Sequence, residues 1–378
     1  MIAQETAPEA APPERKHPLS VVHFRNLWLG ATISQLGDQF YLVALPWLAL
    51  QLTGSSVALG TLLMTAAIPR AALMLLGGAV IDRFSARRVL MTTAATRFVL
   101  VGTVAALVWF DLIQLWELYG LTFIFGVADA FSFPAGPALM PTLVRPEQLQ
   151  PANALMQGST VLTQMAGPAP AGLLIKSLGV AAALFFDALS FVGVILALLR
   201  IPDPPKAPPA AGSPAPPGML SSIREGLRAV RNDPPLLSLM IVIATINICI
   251  AGPIGVGLAA VAKFDFHSPA AFGTFLSCFG GGTLAGVLIG GRVQRPRRRG
   301  LQFIIMSMLC GLELIAIGVV LKLVAIAVLL AVMGLGVGFV NVQFAAWMQM
   351  RVERALLGRV MSVMMFSAVG LVPVSYAI

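Results

Sequence analysis

Six ionisable side chains stand inside stretches otherwise built of Ala, Leu, Val, Ile, Phe and Gly: Asp38, Arg70, Arg97, Asp129, Asp187 and Glu313. Apolar burial raises a carboxylate's affinity for a proton, and a nearby cation lowers it. Asp38 or Asp129, with Arg70 or Arg97 as counter-ion, therefore suits reversible uptake and release of a proton. The same residues suit a permanent ion pair that fixes helix register, and the sequence leaves both readings open. Each charge costs at least about 2.5–3.5 kcal/mol at the centre of a membrane helix, so these groups must face a wet cavity or one another.

Other chemistries find no footing. There is no G-x-x-x-x-G-K-[ST] phosphate loop and no H-E-x-x-H pair, and His17, His23 and His267 lie at or outside the apolar segments. No metal site and no cofactor is expected, nor an enzyme; energy would come from an ion gradient, taken to be of protons, or from the substrate's own gradient. Cys249, Cys278 and Cys310 fall within apolar segments, where thiols act as small apolar side chains and imply no disulfide framework. Residues 1 to about 20 are polar and lack the apolar core of a secretory signal.

The elements that must position the charges are membrane-spanning helices. The chain is 58% hydrophobic and 11% charged, with mean hydropathy +0.88, against about 25% charged in soluble domains. Most of its 25 Lys and Arg fall in alternate gaps between apolar segments. These gaps hold Arg15, Lys16 and Arg25; Arg83, Arg87 and Arg88; Arg145; Arg200 to Arg231; Arg292 to Arg299; and Arg351, Arg354 and Arg359. The intervening gaps hold only Lys176, Lys263 and Lys322. Such sorting orients a polytopic protein with its N-terminus in the cytoplasm of a cell membrane. The net charge of +9 then meets lipid headgroups, and the run Arg295-Pro296-Arg297-Arg298-Arg299 anchors topology instead of binding nucleic acid.

At about 20 apolar residues per span, candidates are 24–52, 57–81, 89–110, 117–143, 152–175, 180–199, 236–262, 269–291, 301–321, 323–349 and 359–378. The organisation predicted is an arm (1–22), an N-terminal six-helix bundle (23–200), a Pro/Ala-rich linker with an amphipathic helix near 221–231 (201–235), and a C-terminal bundle (236–378). The two sides of the linker resemble each other, with Gly77-Gly78 followed by Arg83 on one side and Gly290-Gly291-Arg292 on the other. Two six-span halves joined by a long loop is an arrangement of rocking-bundle transporters. By that symmetry a twelfth span is expected beyond Ile378.

The chain resembles the major facilitator superfamily, and within it drug, macrolide and siderophore (enterobactin-type) exporters, the transmembrane secretion effector-like branch. Four stretches carry the resemblance. Gly78, Asp82, Arg83 and Arg87, followed by Arg88, match the hallmark G-x-x-x-D-R-x-G-R-K, with Ser85 in place of the glycine and Ala86 in place of the arginine. Gly167-Pro168-Ala169-Pro170-Ala171-Gly172, with Gly158 before it, is similar to the exporter motif G-P-x-x-G-G. Ser34 to Asp38 with Ala44 to Trp47, Ala128 to Ala135, and Leu357 to Ser362 complete the set.

The resemblance implies an all-α fold of two six-helix bundles related by a pseudo-two-fold axis, here about eleven spans. It implies that Asp82 latches onto the start of span 11 near Val360–Ser362, and that the span-5 motif forms a kinked, sealing interface favouring export. Spans 1, 4, 7 and 10 would line a central cavity, placing Asp38 and Asp129 there with Asn247, Asn341 and Gln343. Asp187 and Glu313 would sit on peripheral spans, Asp187 in a structural role. The expected activity is proton-coupled efflux of amphiphilic small molecules by a monomer, in a bacterial membrane. Metabolite uptake, or a non-transporting scaffold or inactive remnant, are the alternatives.

Overall fold

The computed structural model describes residues 17–74, 76–203, 219–293, 299–352, 360, 363–364 and 367–377. They form fifteen α-helices, and none of the described residues is in a strand. The first eight are α1 (Val22–Thr53), α2 (Ser56–Met74), α3 (Gly77–Phe84), α4 (Ala86–Trp109), α5 (Leu115–Leu143), α6 (Leu149–Ala166), α7 (Pro168–Leu178) and α8 (Val180–Leu199). Then come α9 (Met219–Arg231), α10 (Pro234–Gly252), α11 (Leu258–Phe264), α12 (Pro269–Arg292), α13 (Arg299–Val319), α14 (Leu323–Arg351) and α15 (Val372–Ala377).

Among the described residues, eight helices are long and apolar enough to cross a membrane, α10 and α11 counting as one. The 32-residue α1 is longer still, but His23, Arg25, Gln35, Asp38 and Gln39 dilute its hydropathy. The expected fifth span is α6 and α7, a single kinked rod. Gly167 between them keeps helical dihedrals (φ −81°, ψ −45°), and Pro168, lacking an N–H, forces the bend. Expected span 2 is interrupted, since Gly77-Gly78 starts a separate short helix. Expected span 7 changes winding at Pro253–Gly257, a π turn. There the Ser375 hydroxyl of α15 accepts from the Gly252 N–H (2.6 Å) and donates to the Ile248 carbonyl. One side chain thus stands inside the ladder bond that would join those two groups, which is how a helix acquires a hinge.

In the first half α1 packs along α8, α4 lies between α8 and α5, and α2 packs on α5. In the second, α12 packs closely on α14, with α13 outside it. Two seams join the halves: α12 against α6–α7, and α15 against α2 while also touching α10. The first seam is a close backbone approach. A Cβ on Gly280 would stand 2.6 Å from the Gln164 carbonyl oxygen, and one on Gly172 would stand 2.9 Å from the Ala270 Cα. The Ala169 N–H, at the kink, donates across the seam to Ser277 Oγ (2.9 Å). The amphipathic α9 is present, but its last turn docks on the protein: Val230 is fully buried against Leu236 and Met348. Residues 1–16 of the arm, 204–218 of the linker and 294–298 of the five-arginine turn lie outside the described residues.

Candidate transport site

Four charges that the sequence places in four different helices meet in one cluster. Asp129 of α5 is held from two sides, by Arg70 of α2 (Nη1 to Oδ2, 3.3 Å) and by Arg97 of α4 through Nη2 and Oδ1. Asp38 of α1 is the outlying member, its Oδ1 3.9 Å from Arg97 Nη1. Arg97 is the hub, with a side chain only 11% exposed and its guanidinium 4.9 Å from the Phe125 ring centroid and 5.8 Å from that of Phe191. Aromatic faces beside a guanidinium add cation–π attraction and exclude water. The Nε atoms of both arginines are buried without a partner among the described residues.

These groups border a cavity of about 300 Å³, whose walls include Tyr41, Pro46, Leu63 and Phe125. Tyr376 of α15, from the other half of the molecule, also lines it. Nothing in the sequence around Tyr376 marks this reach; it follows from how α15 packs on α2.

The second half carries two more cavities, of about 280 and 320 Å³, that share Ile243, Ile246, Asn247, Val340 and Asn341 in their walls. Met306, Phe279, Phe303 and Met348 belong to walls that are apolar apart from the two asparagines and Ser307. Asn247 spends an amide proton on its own helix, donating to the Ile243 carbonyl (2.9 Å). Gln343 does not join them. It is buried and donates to the carbonyls of Gly290 (3.0 Å) and Val293 (3.2 Å), satisfying groups that the end of α12 leaves unpaired.

The hallmark loop after α2 splits likewise. Gly78 and Asp82 lie on α3, but their side-chain surroundings and residues 361–362 lie outside the described residues, and so does the expected Asp82 latch. Arg83 is exposed, its guanidinium 5.5 Å from the neighbouring Phe84 ring. Arg87 and Arg88 both turn to Asp203 beyond α8, at 3.2 Å and 2.9 Å, and Arg87 also donates to the Leu198 carbonyl (2.9 Å). Hydrogen bonds from Arg88 and then Arg87 hold the Asp203 carboxyl below the usual carboxylate range. Across the molecule Arg351 clasps Asp233 at 2.8 Å, with the same effect on that carboxyl. Neither aspartate was singled out from sequence, because both lie beyond the apolar segments.

In the span-5 motif, Gly172 faces the second half. Gly167 faces α1, where a Cβ would stand 2.6 Å from Gln39 Cγ, and Gly158 has open space around it. Glu313 lies on the outer helix α13, away from these cavities. Asp187, read as structural, is completely buried, and neither carboxyl oxygen has a hydrogen-bond partner.

A family model described as Major Facilitator Superfamily matches residues 27–374. The chain is 29% identical over 337 residues to the multidrug efflux pump Tap of Mycobacterium tuberculosis, covering 87% of this chain and 79% of that protein. It is 25% identical over 345 residues to macrolide efflux protein A of Streptococcus pyogenes, covering 90% and 84%. Among solved structures, a bacterial homologue of the iron transporter ferroportin, inward-facing, superposes with a TM-score of 0.70 at 17% identity, covering 94% of this chain and 90% of that one. The nucleoside transporter NupG gives 0.69 at 13% identity, covering 94% and 89%. At such identities these two establish the fold alone.

Proposed function

This chain belongs to the Major Facilitator Superfamily and is a multi-span membrane transporter, and from that premise we propose that it exports amphiphilic small molecules against an inward flow of protons. The observation that carries this reading is the division of the interior into one charged cavity and two apolar ones. Asp129, gripped by two guanidinium groups, anchors the arginines. Asp38, 3.9 Å from one of them, is the carboxylate whose charge can change as the cavity opens to either side. The apolar cavities of the second half, with Asn247, Asn341 and Ser307 as their few hydrogen-bonding residues, suit a bulky guest of mixed polarity better than a sugar or small ion. The relatives' names, a multidrug pump and a macrolide efflux protein, support that class of guest.

Transport proceeds by alternating access: the two halves rock about the α12/α6–α7 and α15/α2 seams, with the Ser375-propped turn as a hinge. The protein acts as a monomer in the cell membrane with the Arg-rich face in the cytoplasm, and the sorting of Lys and Arg supports that orientation.

The test is a reconstituted one. Purified protein in liposomes, loaded with ethidium and given an imposed pH gradient, moves the dye counter to protons. Asp38→Asn keeps dye binding and loses the gradient-driven component. Dye movement indifferent to the gradient in the unaltered protein would refute the coupling; unchanged coupling in Asp38→Asn would refute the assignment to Asp38.

A further inference from the structure

One ionisable group stands outside the roles just given. Asp187 is on α8, a helix with no part in the charged cavity, yet its side chain turns inward to the face α8 shares with α1. Its carboxyl lies against the α1 backbone at Gly37, where a Cβ would stand 2.7 Å from Oδ1, so only a glycine leaves it room. Ser190, one turn along α8, commits its hydroxyl to the main-chain carbonyl of Asp187 itself (2.6 Å), and by hydrogen-bond geometry neither carboxyl oxygen has a donor. The groups in electrostatic reach are Asp38 and Tyr41 from α1 and Arg97 from α4. From α7, the only ionisable side chain, Lys176, is exposed.

Charge decides what form this carboxyl takes. Arg97 is already engaged by Asp129 and Asp38. Three carboxyls (Asp38, Asp129, Asp187) therefore share two guanidinium groups (Arg70, Arg97), and one negative charge is left over in an apolar interior. A buried carboxylate with neither a cation nor a donor is so unfavourable that the group takes up a proton instead. Two acids within mutual reach then behave as one pair holding one proton.

We propose that Asp187 is a second proton-binding site of this transporter, forming with Asp38 a pair that holds a single proton, which rests on Asp187 in the conformation described here. The proposal rests on the proton-coupled reading above. When rocking of the halves draws Asp38 away from Arg97, the O–H bond at Asp187 breaks and one forms at Asp38. The carboxylate charge passes the opposite way, and no electron donor or acceptor takes part. Asp38, on the cavity wall, exchanges the proton with water; Asp187 stores it out of reach of the guest.

Infrared difference spectroscopy on the purified protein reads the stored proton directly, because a protonated carboxyl in apolar surroundings has a carbonyl band that a carboxylate lacks. At neutral pH the unaltered protein shows this band and Asp187→Asn removes it. In liposomes Asp187→Asn, whose amide imitates the neutral acid in shape, binds dye but loses gradient-driven transport, and Asp187→Glu restores part of it. Absence of the band at neutral pH, its persistence in Asp187→Asn, or full coupling in that variant would overturn the proposal. Should the unaltered protein transport nothing against a gradient, the proton-coupled reading fails, while the infrared band still decides whether Asp187 holds a proton.

Discussion

The two halves are built from similar helices but distribute their ionisable side chains in opposite ways. The first keeps Asp38, Arg70, Arg97, Asp129 and Asp187 within its long apolar helices. In the second, among the described residues, Glu313 is the only carboxylate within a spanning helix, and its cavities are lined by Ile, Val, Phe and Met around two asparagines and a serine. Charges in an apolar interior are affordable only where each finds a partner, so concentrating them lets arginines be shared. Freed of that constraint, the other half can offer a guest broad, adaptable apolar contact. Topological symmetry between halves therefore says little about how the work is divided between them.

The largest effect that would break this contrast comes from the hub. Arg97→Gln leaves Asp129 with one partner and Asp38 with none. Removing one member of a buried pair costs 3–5 kcal/mol; with Asp129 22% exposed, about 3 kcal/mol is expected, as a lowered midpoint of thermal unfolding in detergent together with loss of transport. Glu313→Gln in the second half should stay within about 0.5 kcal/mol. Equal costs for the two variants would mean that charge is not specially organised in the first half.

A smaller effect sharpens the other side. Asn247→Leu and Asn341→Leu remove the polar groups from the shared wall of the apolar cavities. One hydrogen bond is worth about 1 kcal/mol, so the apparent KM for a dye should shift by about fivefold in either direction, depending on the dye. The pH dependence of transport should not move. A changed pH profile in either variant would show that protons and guest are handled in the same place.

The charged cluster was largely legible in the sequence, because four ionisable residues in apolar spans have few options besides meeting. The direction each faces was not. Asp187 and Gln343 differ little from other polar residues along the chain, yet one turns inward unpartnered and the other closes the carbonyls at the end of α12. Which way a residue faces depends on how its helix is rotated in the packing, and the near-uniform apolarity of these spans leaves no stripe to fix that rotation. Asp203 and Asp233 were missed for the reverse reason: outside the membrane a charge costs nothing, so its presence carries no signal. Ser85 did carry one, as a serine at the place where the hallmark has glycine, and its backbone explains the discrepancy.

Ser85 sits at φ 72°, ψ 144°, a region that glycine adopts freely and that strains other residues by about 1–3 kcal/mol. Its hydroxyl repays part of that by accepting from the Arg88 N–H at the start of α4 (3.4 Å) and by approaching Asp203 at 3.5 Å. The clasp of the second half has no such strain: Val352, next to Arg351, lies at φ −89°, ψ 133°. Replacing an N-cap serine by glycine loses only a few tenths of a kcal/mol, so Ser85→Gly should stabilise the protein by about 1 kcal/mol, the excess of strain over cap. Val352→Gly, with no strain to relieve and a side chain packed against the cluster around Val230 and Met348 to lose, should destabilise it by about 1–2 kcal/mol. The pH dependence of the two clasps should nevertheless agree. Both aspartates are held below the ordinary carboxylate range, Asp203 by Arg88 and Arg87 and Asp233 by Arg351. A depressed carboxylate contributes stability that is present above its unfolded value and lost as pH falls through the folded one. Both clasps therefore hold at neutral pH and loosen only in acid, seen as a falling unfolding midpoint that Asp203→Asn and Asp233→Asn each flatten. If Ser85→Gly instead lowered the midpoint at neutral pH, the hydroxyl's contacts with Arg88 and Asp203 would outweigh the strain, and the serine would be a working part of the clasp.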